Sequence, residues 1–276
     1  MGDAWLRLLI AALLAVTVVM SARHRRMLTT NGAVAAFAVG TLIAAAGGWW
    51  WGCLLVLFFL SSSLLSRRNQ RVDSQTAVAV RGSRRDAVQV LANGGVPAFI
   101  AALSALAPSD SRSILFAAFA GGIAAANADT WATELGAGSR RPPRLLIGWH
   151  PVPAGTSGGV TRRGSVASLL GALLIAVVAA IGAGFGWAPG SAASLLVGGT
   201  IAGAAGSLAD SLLGATLQAA YRCPLCGQPT ERRSHCRGTP TMLERGLPIV
   251  TNDLVNLAAV LIGAISGGGI SWLMTG

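Results

Sequence analysis

Apolar and polar positions in this chain do not alternate; they fall into long blocks. Eight mostly apolar stretches run roughly over 4–20, 32–46, 49–65, 86–106, 111–136, 166–186, 192–221 and 247–274. A helix needs about 20 apolar residues, within a range of about 17–25, to cross a bilayer. The pattern therefore predicts an all-α polytopic membrane protein of about eight transmembrane helices, forming a single integral membrane domain over 1–276. Only Gly47 and Gly48 separate the second and third stretches. They form either a helical hairpin with a tight turn or a pair of which one is re-entrant.

The loops between the stretches support this count. With eight spans, one side of the membrane receives 21–31, 66–85, 139–163 and 222–246, and these loops hold 19 of the 21 arginines; only Arg7 and Arg112 fall elsewhere. The positive-inside rule makes that side cytoplasmic and puts both termini outside, in a multi-pass protein of the cell membrane. No charged region precedes the first stretch, which reads as a span and not as a removed signal peptide. Composition agrees. Hydrophobic residues make up 53% and charged residues 11%, whereas a soluble domain carries about 25% charged residues. The net charge of +11 would suit nucleic acid, but arginines set in short loops between spans argue against that partner.

An internal echo is visible. Ala128-Asp129-Thr130 ends one inward-running span and Ala209-Asp210-Ser211 ends another, each after a run of small residues. A parallel duplication explains this; chance similarity between Ala/Gly-rich helices is the alternative.

Ionisable groups within spans are costly and mark function more often than not. Asp129, Glu134, Asp210 and Asp253 all lie in the predicted cytoplasmic part of their spans, and Asn127, Ser207, Asn252 and Asn256 accompany them. Carboxylates with Asn and Ser oxygens are the ligands of a hard cation such as Mg²⁺. Interhelical hydrogen bonding is the competing role for the neutral polar residues.

Two loops add chemistry. In 139–164, a predicted cytoplasmic phosphate-binding loop, Gly155-Thr156-Ser157-Gly158-Gly159 can turn backbone N–H groups toward one anion, and Arg144, Arg162 and Arg163 add positive charge. An ordinary loop following the positive-inside rule would look much the same. In the Cys-rich loop 222–246, Cys223 and Cys226 form a Cys-x-x-Cys pair followed by His235-Cys236. These are ligands of a structural zinc, although adjacent His235 and Cys236 are awkward ligands for one ion. Cys53 lies in an apolar run and reads as a small packing residue.

Taken in order, Asn127-Ala-Asp129-Thr-Trp131-Ala-Thr-Glu134-Leu-Gly136, then 155–160, then Ser207-Leu-Ala-Asp210-Ser-Leu-Leu-Gly214-Ala-Thr-Leu-Gln218, then the Cys-x-x-Cys loop and Asn252-Asp253-x-x-Asn256, resemble the transmembrane protein 19 / phytyl-phosphate kinase family over about residues 28–262. One departure is Ser157, where that family usually carries Asn. The resemblance implies Mg-dependent phosphoryl transfer from a nucleoside triphosphate such as CTP to an isoprenoid monophosphate. On that reading Asp129 and Asp210 hold Mg²⁺, helped by Asn127 and by Asn252 or Asp253. The 155–159 loop with Arg144, Arg162 and Arg163 cradles phosphates, and Glu134 orients or deprotonates the acceptor. A cytidylyltransferase making a CDP-lipid would use the same parts. A lipid or solute transporter is the reading from another class, and it would place its carboxylates nearer the bilayer midplane.

Overall fold

The computed structural model describes residues 2–73 and 84–275, so Arg81 of the second Arg-rich loop lies outside the described residues, as do the side chains of Arg67, Arg68 and Arg71. Eight helices among the described residues are long and apolar enough to cross a membrane. They are α1 Gly2–His24, α2 Thr30–Leu42, α3 Trp49–Asp73, α4 Ala87–Leu106, α5 Arg112–Ala137, α6 Arg162–Gly184, α7 Ala192–Thr216 and α8 Asn252–Thr275. A π-helical turn over Ile43–Gly47 continues α2 to complete an 18-residue span, and Gly48 at φ 113° then turns the chain into α3 as a tight hairpin.

Helix starts on the Arg-rich end are written in short side chains. Thr29 caps α2 through the Gly32 N–H, Asp86 and Gln89 form a reciprocal capping box on α4, and Thr161 caps α6 through the Gly164 N–H. Each satisfies amide donors that the first turn leaves open. The Thr161 cap explains why α6 begins at Arg162 and not at 166.

Two sequence-based boundaries are corrected. The seventh span stops at Thr216, not 221, because 220–222 is strand β3 (Ala220–Arg222). The eighth starts at Asn252, not 247, because Pro248 lacks the N–H that a helix interior needs. The residues trimmed from both ends meet each other: the Leu247 N–H donates to the Leu217 carbonyl and the Ala219 N–H to that of Val250.

Helix α5 lies at the centre, packed on α3, α4, α6, α7 and α8. From Phe116 to Ala128 nearly every residue is buried, as expected of a helix apolar on all sides. Small residues permit this crowding. A Cβ built on Gly263 of α8 would fall 2.7 Å from the Gly121 carbonyl oxygen of α5. Large apolar side chains such as Leu9, Leu13, Phe99, Val166 and Ile265 stay exposed around the rim, where lipid is their solvent. At the end away from the Arg-rich loops, Trp51 packs on Phe119 with ring centroids 4.6 Å apart and on Phe116 at 5.2 Å.

Candidate functional site

The Arg-rich ends of α5 and α7 bring Asp129 and Asp210 together. Their carboxyl groups lie within hydrogen-bonding reach of one another, and Glu231 is close enough to add its own charge at Asp210. Asp210 Oδ2 is buried, and no donor among the described residues reaches it. Two like-charged groups in contact repel strongly unless a proton or a cation sits between them. The donor set is that of a hard divalent cation, and the partnerless oxygen gives such an ion a ligand, so Mg²⁺ fits the residues present. Asp253 and Asn252 lie in the first turn of α8, which packs against both α5 and α7.

Asn127 departs from its expected place among metal ligands. It is fully buried; its Nδ2 donates to the Gly171 carbonyl of α6 at 2.7 Å, and its Oδ1 accepts from Ser61 Oγ of α3 at 2.8 Å. Both ends of the amide are committed to joining three helices. Glu134 sits five residues past Asp129, about 7.5 Å further along the axis. It accepts a hydrogen bond from Ser66 Oγ and feels the charge of Arg85. Arg85 in turn donates to Ser62 Oγ at 2.9 Å and lies 5.6 Å from the ring centroids of Phe58 and Phe59.

The 139–164 loop is a short antiparallel ladder, β1 (Arg144–Leu145) on β2 (Gly159–Val160), folded onto the end of α7. Gly158, at φ +78°, makes the closest approach: Gly214 can carry no Cβ, since it would come within 2.9 Å of the Gly158 nitrogen. The Thr156 and Gly159 N–H groups donate to the carbonyls of Pro153 and Thr156. An anion cradle here therefore rests on the amides of Gly155, Ser157 and Gly158. Of the loop arginines, Arg144 donates to the Trp149 carbonyl at 2.7 Å and Arg163 to that of Gly138 at 2.9 Å; both are exposed, as is Arg162.

Ser157 belongs to a knot that ties this loop to the Cys-rich one. Its Oγ donates to Glu231 Oε1 at 2.9 Å, and the buried Gln218 donates both to Ser157 Oγ at 2.9 Å and to Glu231 Oε1 at 2.8 Å. Arg245 Nη2 donates to the Ser157 carbonyl at 2.9 Å and to that of Gly214 at 3.1 Å.

The family described as integral membrane protein DUF92 matches residues 13–264. The chain belongs to this DUF92 family. The motif resemblance to the transmembrane protein 19 / phytyl-phosphate kinase family is in keeping with that membership. Among the DUF92 chain's relatives, Protein PGR of Arabidopsis thaliana is 33% identical over 201 residues, which cover 66% of this chain and 67% of PGR. Uncharacterized membrane protein MJ0933 of Methanocaldococcus jannaschii is 29% identical over 183 residues, 66% of this chain and 61% of that protein; the chain thus spans less than two-thirds of its length. No solved structure matches.

In this DUF92 protein three residues near the carboxylates, Glu231, Arg85 and Ser66, and Ser61 beside Asn127 were not singled out from sequence. The readable signal for Glu231 is slight: it is one of two acids, with Glu244, in a loop of five arginines. Cys223, Cys226, His235 and Cys236 also converge, with one ligand atom from each all within 4.8 Å of one another. The N–H groups of Cys226 and Leu225 point at the Cys223 sulfur and lower that thiol to about 6, against the opposing effect of burial. A cavity of about 170 Å³ lies at the far end of the bundle, lined by Arg7, Ala46, Gly47, Trp51, Ser104, Arg112 and Pro189. It contains the two arginines outside the Arg-rich loops and is remote from the carboxylates.

Proposed function

We propose that this protein is an isoprenoid-phosphate kinase, transferring a phosphoryl group from a nucleoside triphosphate, CTP foremost, to a prenyl- or phytyl-type monophosphate. The observation that carries the reading is the contact between Asp129 and Asp210, brought from separate helices to the Arg-rich end with one buried carboxylate oxygen unclaimed. We place that end in the cytoplasm, where nucleotide is supplied and where the acceptor phosphate of a membrane-embedded lipid would lie.

Phosphoryl transfer asks a protein mainly for positioning and charge neutralisation. Asp129 and Asp210 hold Mg²⁺ in this scheme, and Asp253 and Asn252 are within the same end of the bundle to assist. The ion, when bound, neutralises phosphate charge and aligns the transferring group. The amides of Ser157 and Gly158 and the exposed Arg162 and Arg163 bind the nucleotide's phosphates. Glu134 is the acid on the acceptor side. Held by Ser66 and balanced by Arg85, it orients the acceptor, which is already anionic and needs no base.

The test is purified protein in detergent with Mg²⁺, CTP or ATP, and a panel of prenyl monophosphates. Lipid diphosphate plus nucleoside diphosphate is the expected product. Asp129→Asn and Asp210→Asn are each expected to reduce the rate at least about 100-fold, as loss of a charged group acting in the transition state does. CDP-lipid plus pyrophosphate would instead identify a cytidylyltransferase, and nucleotide-free lipid movement in vesicles a transporter. Full activity in either Asp variant would overturn the site.

A further inference from the structure

We propose that Cys223, Cys226, His235 and Cys236 bind one structural Zn²⁺ ion, and that this ion holds Glu231 in place against Ser157 and Gln218. The proposal goes beyond the kinase reading and does not depend on it.

Geometry comes first. Zn–S bonds of about 2.3 Å and Zn–N bonds of about 2.0 Å in a tetrahedron set neighbouring ligand atoms about 3.5–3.8 Å apart. In the structure His235 Nδ1 lies 3.5 Å from Cys226 Sγ and 3.2 Å from Cys236 Sγ, and the four ligand atoms all fall within 4.8 Å. Three thiolates and one imidazole at such spacing are a closed zinc set with no open position for a reacting water.

Backbone conformation explains how adjacent His235 and Cys236 both reach one point. Cys236 at φ 41°, Arg237 at φ 63° and Gly238 at φ 88° form a left-handed turn between the two-residue strands Ser234–His235 and Thr239–Pro240. The turn between them folds Cys236 back beside its neighbour. Two consecutive non-glycine residues in this region are strained, and a shared ligand would offset that strain. On the other side, Gly227 at φ 70° and the Gly227 N–H to Cys223 carbonyl bond close the Cys-x-x-Cys turn.

The hairpin that carries His235 and Cys236 has little else to hold it: its two strands, Ser234–His235 and Thr239–Pro240, are two residues long and bury no side chain. Hairpins this short, without an apolar face to bury, are at best marginal in water, and small units of this kind commonly rely on metal. Glu231 lies in sequence between Cys226 and His235, bracketed by ligands. Fixing those ligands therefore fixes the segment that meets Ser157 and Gln218.

The experiment uses the full chain in detergent, purified without chelator. Mass-spectrometric metal analysis should find about one zinc per chain, and exchange with Co²⁺ should give the thiolate charge-transfer absorption of a tetrahedral site. Cys226→Ser and His235→Ala should lower metal affinity by more than about tenfold, whereas Cys53→Ser should keep it. Stripping the wild-type protein with chelator should speed amide exchange across 155–159 and 228–233 and leave α5 unchanged. Absence of zinc, iron in its place, a Cys223–Cys226 disulfide, or unaltered exchange at 155–159 on stripping would each overturn the proposal. None of these readouts requires kinase activity, so failure here and failure of the kinase reading are separable.

Discussion

Asn127 and Asp129 are two positions apart on one helix and have different work. The Asn127 amide spans from the Ser61 hydroxyl to the Gly171 carbonyl in a fully buried place, while Asp129 meets Asp210. Truncating Asn127 to Ala removes both interhelical hydrogen bonds, to Ser61 and to Gly171, at about 0.5–1.5 kcal/mol each. Thermal unfolding in detergent should show Asn127→Ala melting lower with its Mg²⁺ dependence unchanged. A loss of Mg²⁺ affinity without loss of stability would return Asn127 to the metal set. The contrast also marks what a sequence tells at this scale. A carboxylate in an apolar run is conspicuous because membrane burial penalises it, so Asp129 and Asp210 stand out at once. An asparagine in the same run is equally consistent with ligation and with interhelical hydrogen bonding, and only the positions of α3 and α6 decide.

At the scale of elements, the eight spans were legible because the bilayer imposes one length and one polarity on every crossing. The ends of α7 and α8 were not, since apolar residues such as Leu217, Ala219, Ala220 and Leu247 continue the pattern beyond the helices. What stops the helices there is pairing between two segments about 30 residues apart, which no local window contains. The contact of α5 with α8 has its own test. A side chain at Gly263 would press on the Gly121 backbone, whereas a Cβ at Gly269, farther along the same helix, meets nothing within 4 Å. Gly263→Val should destabilise the protein by about 1–3 kcal/mol through overpacking. Gly269→Ala should be neutral or slightly stabilising, by up to about 1 kcal/mol, because glycine is the poorer helix former. Equal melting temperatures for the two variants would mean that α5 and α8 do not approach this closely.

For the whole molecule, the distribution of charge and the location of the site are one question. Among the described residues, the arginines of the four Arg-rich loops, the Asp129–Asp210 contact, the 155–159 loop and the Cys-rich loop all belong to the same end of the bundle. The other end offers short connections, a tryptophan-rich rim and the cavity lined by Arg7 and Arg112. Inverting the molecule would carry four Arg-rich loops across the membrane, against the bias that sets topology during insertion. On the kinase reading it would also part the carboxylates from cytosolic nucleotide. Cysteines introduced at the exposed Ser109, in the 107–111 connection, and at the exposed Arg140, in the 139–164 loop, read the orientation directly in intact cells carrying Cys53→Ser. A membrane-impermeant thiol reagent should label Ser109→Cys from outside and Arg140→Cys only after permeabilisation. The inverse pattern would place the carboxylates outside the cell, where no nucleoside triphosphate pool exists, and with that the kinase reading would fail whatever the affinity of the site for metal.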